Sequence, residues 1–239
     1  MVTDILVISP CSGSKRRDPV VEVKEIDTRP REELLREHPD AVAVAEEMYT
    51  GREHQLIQSA VGELEQIAEV DWQIISAGFG VLSQDTRIPS YDCTFSEVEE
   101  VRTRARRMGL DVDSMTNDEL AEAVGREKRI PQDLRETLDE RYDLVFVALG
   151  TKYLLTAQEA LTSIPNETTS FAFASKGSRE LVGDCHWIPA TETERSRFGT
   201  TWLELRGMEL LTLAENTDEE ALVRIQEDPD VASELSTAP

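Results

Sequence analysis

Four short segments combine small residues, hydroxyls and cations at the ends of aliphatic runs. They are Ser9-Pro10-Cys11-Ser12-Gly13 with Lys15, Ser76-Ala77-Gly78-Phe79-Gly80, Leu149-Gly150-Thr151-Lys152, and Ser175-Lys176-Gly177. Small residues let a ligand approach the backbone, hydroxyls and amides supply donors, and lysines supply charge. In open α/β sheets such groups gather at the carboxyl ends of strands, where ligands bind. Pooled along one edge, they would form a pocket for a carbonyl or anionic group. Asp92 follows the RIPSY loop and adjoins Tyr91, so it is the candidate carboxylate base or acceptor; its structural alternative is to cap a helix starting near Thr94. Lys15 and Cys11 complete the catalytic candidates, Cys11 as a nucleophile or as a small packing residue. The binding candidates are Ser12, Gly13, Ser76, Gly78, Gly80 and Gly150, with Phe79 or Tyr91 as stacking rings and Tyr49 and His54 nearby on helical sequence.

Other chemistries find less support. The chain has no GxxxxGK[ST], GxGxxG or GxSxG, so neither a P-loop nor a hydrolase elbow is indicated. Cys185 and His186 are adjacent and would diverge on a strand, which disfavours zinc; no metal ligand and no cofactor is assigned. Arg102, Arg104, Arg106 and Arg107 could meet phosphates, but basic residues late in a helix also offset its dipole, and the second reading is preferred.

The elements that must position these groups alternate. Strands are expected at 4–9, 72–76, 143–149, 169–174 and 186–189, each short and apolar. Residues 16–39 carry three prolines and little periodicity, and read as a surface insertion with at most a short helix near 31–37. A helix is expected from Asp40 to about Ile67, broken at Tyr49-Thr50-Gly51. A Gly- and Pro-bearing loop follows the second strand. Three helices fill a second insertion at about 96–141: one from Thr94 or Ser96, one at 116–125 with a Thr116–Glu119 capping box, and one at 131–141. Helices are further expected from Gly150 to about 162 and over 195–214, the latter using Trp202 as an apolar contact. The pattern predicts an α/β fold, Rossmann-like and three-layered, with a mostly parallel sheet of four to five strands. One domain spans 1–215, and 216–239 reads as an acidic tail whose last ten residues are disordered.

The 239 residues suffice for a substantial core. No apolar run approaches a membrane span, and the N-terminus lacks a basic-then-apolar segment, so a cytoplasmic protein without membrane contact is expected. Three dispersed cysteines agree with a reducing compartment. Forty-eight acidic against 25 basic residues give a formal net charge of −23. An acidic, lysine-poor surface suits solubility in molar salt, as in halophilic archaea. There the Debye length falls to about 3 Å, so net charge does not exclude a nucleic acid partner.

Taken together, PCSGSK (10–15), MYTGREH (48–54) and SAGFGVLSQDTRIPSYDCTF (76–95) resemble a small α/β family with Cys-Ser-x-x-Lys and Ser-Ala-x-x-Gly…Tyr-Asp motifs. The same blocks are similar to the core domain of archaeosine synthase, a transglycosylase-like enzyme acting on a deazaguanine base in transfer RNA. Pro10, Cys11, Lys15, Ser76, Gly80, Tyr91 and Asp92 carry the match. Residues 16–47 intervene before Tyr49, and no room remains for the further domains of that synthase. The resemblance implies an enzyme acting on a nucleobase or nucleoside, free or within tRNA or DNA. The competing readings are a non-catalytic nucleotide-sensing module and an acidic interaction protein without a ligand.

Overall fold

The computed structural model describes residues 2–238. Its centre is β1 (Asp4–Pro10), in which Ile5, Leu6, Val7 and Ile8 are all fully buried. Consecutive side chains point to opposite faces of a strand, so both faces of β1 are covered. β1 pairs in parallel with β3 (Glu69–Ser76) on one side and β6 (Leu144–Val147) on the other, with Ile5 opposite both Val70 and Leu144. β7 (Thr169–Ala174) and β8 (His186–Pro189) continue in parallel. β4 (Gly80–Ser83) adds to β3 antiparallel. The result is a six-stranded, mostly parallel sheet in the order β4-β3-β1-β6-β7-β8. The sequence led to four or five strands; β4 is the addition, and its four residues are too short to announce themselves by alternation.

A separate antiparallel ribbon joins β2 (Val42–Val44) to β5 (Arg87–Pro89). The helix expected from Asp40 is therefore replaced at first by a 3-10 turn (Pro39–Ala41) and a strand, in keeping with the β-branched Val42 and Val44. Helix resumes as α3 (Ala45–Met48) and α4 (Arg52–Leu64), interrupted at Tyr49–Gly51. The first insertion holds two helices rather than one, α1 (Val23–Thr28) and α2 (Arg31–Glu37), and plants Val21, Ile26 and Leu34 in the core. The second holds α5 (Val98–Arg107), α6 (Asn117–Glu127) and α7 (Ile130–Leu138). The Thr116–Glu119 capping box at α6 forms in both directions.

After β6 comes α8 (Thr151–Leu161), and after β8 comes α9 (Glu192–Phe198). The single helix expected over 195–214 is two helices, because Gly199 ends α9 at φ +61° and α10 (Leu205–Glu215) starts afresh. Trp202 falls in the link and is half exposed instead of packed, with the Arg195 guanidinium 5.5 Å from its ring. The C-terminal segment also departs from expectation: α11 (Glu219–Glu227) and α12 (Asp230–Leu235) bury Leu222, Ile225 and Ala232. Pro239, the last of the ten residues expected to be disordered, lies outside the described residues. Among the described residues no helix is long and apolar enough to cross a membrane.

α10 packs along α4 and carries Glu209, which is fully buried with neither carboxyl oxygen hydrogen-bonded among the described residues. Burial, reinforced by Glu194 and only partly relieved by Arg206, pushes its pKa from 4.5 up to about 9. Glu209 is therefore protonated in the folded chain at neutral pH, while the unfolded chain ionises it. Stability is lost as pH rises from about 4.5 towards about 9. At pH 7 the cost is on the order of 3 kcal/mol. Glu209→Leu should raise unfolding free energy by about that amount at pH 7 and flatten its pH slope between pH 5 and 8. Denaturant titrations at several pH values check this.

Candidate functional site

β1, β3, β6 and β7 all deliver their polar ends to one edge of the sheet, as the parallel pairing requires. Cys11 is held beside β3 by its amide donating to the Ile75 carbonyl at 2.9 Å. The loop after β1 is then tied to the break before α4: Lys15 bridges Tyr49, and the Gly51 amide donates to Ser12 Oγ at 3.1 Å. Val21 in turn bridges Tyr91, so the first insertion is threaded through the edge.

The space between these segments is filled by aromatic side chains. Tyr91 is fully buried, and its hydroxyl lies 2.6 Å from Ser76 Oγ and 2.7 Å from the Tyr49 hydroxyl. Ser76 Oγ accepts from the amides of Gly78 (3.2 Å) and Phe79 (3.0 Å), so its own proton goes to Tyr91, and Tyr91 donates to Tyr49. Burial pushes the hydroxyls of Tyr49, Tyr91 and Tyr153 far up, and all three stay neutral. A Cβ on Gly78 would lie 2.8 Å from the Tyr91 ring, so only glycine lets this turn close over the tyrosine. Gly80 takes φ +79°, and a Cβ there would meet the Lys128 carbonyl at 2.7 Å.

The three catalytic candidates take different places. Lys15 is half-buried, its ammonium 4.5 Å from the Tyr91 ring centroid and donating to the carbonyls of Ser12 (3.2 Å) and Gly13 (3.3 Å). Asp92 is the next residue after Tyr91 and is exposed, because the chain alternates inward at Tyr91 and Cys93. It caps no helix, since α5 begins only at Val98 with Glu97 at its cap. Cys11 is buried with its sulfur 3.2 Å from the Tyr153 hydroxyl, which fits packing better than attack.

Among the binding candidates, Gly13 is exposed, Ser12 and Phe79 are partly so, and Gly150 caps α8. Phe79 meets Tyr91 edge-on at 5.0 Å, and of the two rings it is Phe79 that keeps some exposure. His54 faces Tyr49 edge-on at 5.5 Å and stacks on Trp72 at 4.9 Å. Its Nε2–H donates to the Glu46 carbonyl, and burial lowers its pKa to about 4, so it is a neutral core residue. Lys152, read as part of the pooled positive charge, is paired with Asp118 on α6. The hollow expected among Cys11, Gly78 and Asp92 is thus a packed floor with an exposed rim. A cleft of about 470 Å³ lies at the other end of the strands, lined by Asp4, Glu69, Asp71, Glu140, Arg141 and Tyr142. Cys185 is buried while His186 is exposed against Phe171, and among the described residues no group of three or more His, Cys, Asp or Glu is disposed to hold a metal.

The arginine cluster lies in the last turns of α5, as the helix-dipole reading has it, but does more than offset the dipole. Arg104 is fully buried and donates to both Asp27 oxygens, to the Ala77 carbonyl (2.8 Å) and to Cys93 Sγ (2.9 Å). Arg107 and Lys128 reach the same Asp27 at 3.0 Å, while Arg102 holds the Val112 carbonyl and Asn117. Burial alone would push Asp27 up, but Arg104 and Lys128 outweigh it and hold the carboxyl below its ordinary range. Asp27 escaped notice because nothing near it in sequence marks it. Arg104 carried a usable signal: it shares the helix face of Val101 and Ala105, where an arginine needs a buried partner. Asp27→Ala would leave that guanidinium uncompensated in the core. We expect a loss of about 3–5 kcal/mol in chemical denaturation and, near the midpoint, faster alkylation of Cys93.

No family model matches the chain. No curated protein matches it as a relative either.

Proposed function

We propose that this chain is an enzyme acting on a nucleobase or nucleoside, bound on the rim formed by the loops after β1 and β3. The observation that carries the reading is the seating of the Lys15 ammonium 4.5 Å from the Tyr91 ring, with the exposed carboxylate of Asp92 next in the chain. The partly buried ring of Phe79 meets the same Tyr91 ring edge-on at 5.0 Å. Lys15 would hold a carbonyl or anionic group with its remaining N–H, and Asp92 would accept from the amidine-like edge of a base. Phe79 would stack on the base. The amides of Gly78 and Phe79 are already given to Ser76, so they shape the turn rather than cradle the ligand.

The strand order supports the placement. Without the antiparallel β4, the parallel strands run β3-β1-β6-β7-β8, and the order reverses between β1 and β6. That is the switch point at which doubly wound, Rossmann-like sheets bind ligands. Right-handed crossovers leading outward in both directions from it would place helices on both faces in three layers. The resemblance of residues 10–15 and 76–95 to the archaeosine synthase core favours a deazaguanine-type base, free or in a nucleic acid. The −23 charge favours a cytoplasm of molar salt.

A second reading is a nucleotide-sensing module without turnover. It is favoured by the burial of Cys11 against Tyr153, which gives no activated nucleophile. Recovery of bound ligand chemically unchanged after long incubation would select it. Under the leading reading, Asp92→Asn and Lys15→Ala each weaken nucleoside binding at least about tenfold in molar KCl, a loss of the size of one charge-assisted hydrogen bond, while melting temperature stays within a few degrees. Retained affinity in both variants rejects the assignment.

A further inference from the structure

At the reversal between β1 and β6 stands an arginine that the rim does not use. Arg206 opens α10, and its side chain is 14% exposed. Its Nη2 lies 2.7 Å from Glu53 Oε1 in the first turn of α4, and 3.4 Å from where a Cβ on Gly150 would project. The guanidinium therefore rests on the turn from β6 into α8, where the glycine leaves room for it. Within this contact Arg206 Nε is buried without a hydrogen-bond partner among the described residues, while Nη2 is paired with Glu53. A guanidinium has five N–H donors in a rigid fork, and here the Nε–H is left without a partner.

The surroundings give that charge one close partner, Glu53. Glu53 is disfavoured as an anion by burial, and Arg206 relieves this only in part. Glu209, one turn along α10, is protonated at neutral pH and offers no counter-charge. α4 and α8 both begin here, and neither Gly51 nor Gly150 supplies a side-chain cap. The fork, the glycine beneath it and the place in the sheet all suit an oxyanion with two acceptor oxygens.

We infer that Arg206 is the phosphate-binding residue of this protein, and that a phosphorylated nucleoside displaces or shares it with Glu53. This rests on the nucleoside reading above and deepens it, since it makes the ligand a nucleotide rather than a free nucleoside or base. The phosphate would sit against Gly150 on one side of the β1 loop, with the base towards Lys15 and Asp92 on the other.

The test uses the full chain in molar KCl and three probes: a nucleoside, its 5′-monophosphate, and inorganic phosphate. The monophosphate should bind the wild type at least about tenfold more tightly than the nucleoside. Arg206→Gln should erase that difference and leave nucleoside affinity in place, whereas Glu53→Gln, which removes the competing carboxylate, should enlarge it. A monophosphate that binds no better than the nucleoside, or an advantage that survives Arg206→Gln, overturns the inference and leaves the nucleoside reading standing. If no nucleoside binds but inorganic phosphate binds the wild type and not Arg206→Gln, the anion site stands and the nucleoside reading falls. Should Arg206→Gln fail to fold, Glu53→Gln decides alone: tighter phosphate binding supports the site, and unchanged or weaker binding rejects it.

Discussion

A single buried guanidinium organises the end of the sheet where the candidate site lies. Arg104 joins α1 through Asp27, the end of β3 through the Ala77 carbonyl, and the approach to α5 through Cys93. Lys128, just before α7, also donates to the Ile26 carbonyl beside Asp27. Two insertions distant in sequence thereby share one charged knot. Such a pair adds little net stability compared with apolar packing, because desolvation consumes most of its attraction. Its effect is geometrical. A planar fork with fixed donor directions admits one arrangement of its acceptors, so the turn at 77–79 and the strand-like run 91–93 cannot slide relative to each other.

That fixed frame explains why the edge is filled rather than hollow. With Ala77 and Cys93 pinned, Tyr91 must enter beneath Gly78, and its hydroxyl completes the chain from Ser76 to Tyr49. A buried hydroxyl chain of this kind is satisfied within itself and leaves few groups for a ligand. The polar groups left outside that hydroxyl chain are the ammonium of Lys15 and the carboxylate of Asp92, with the partly exposed ring of Phe79 against Tyr91. Residues that look alike in a motif thus divide into those that build the floor and those that stand on it. Ser76, Tyr91, Tyr49 and His54 belong to the first group.

The sheet was legible where burial is total. Ile5–Ile8, Leu144–Val147 and Thr169–Ala174 are near-continuous apolar runs, and nothing else in the chain explains them. The α6 cap was legible because a capping box is a local bargain between Thr116 and Glu119. The short strands Val42–Val44, Gly80–Ser83 and Arg87–Pro89 were not, since they lack such an apolar run and exist because partners brought from elsewhere complete their hydrogen bonds. The C-terminal helices were obscured by their charge, since Glu219, Glu220 and Glu227 hide the face that buries Leu222 and Ile225. In the candidate site, the motifs fall in loops that the parallel strands bring to one edge, but they do not reveal the depth of each side chain. Asp27 and Arg206 were invisible for one reason: their significance lies in partners far off in the chain, Arg104 for the first and Glu53 with Gly150 for the second.

The charge of the whole molecule bears on both cations at this edge. In dilute buffer a net −23 would repel any anion approaching Lys15 or Arg206. In molar salt the Debye length of about 3 Å removes the distant carboxylates from consideration but leaves contact distances alone. What then matters is the immediate neighbourhood. There Lys15 faces carbonyls and a ring face, while Arg206 faces the largely buried carboxyl group of Glu53 and Glu209, which burial keeps neutral. In molar salt the acidic surface and these two cations would be compatible, because screening suppresses the field of distant carboxylates and leaves the contacts around each cation. An anion reaching the β1 loop would meet a local potential set by Lys15 and Arg206 together with the neighbouring carboxylates of Asp92 and Glu53.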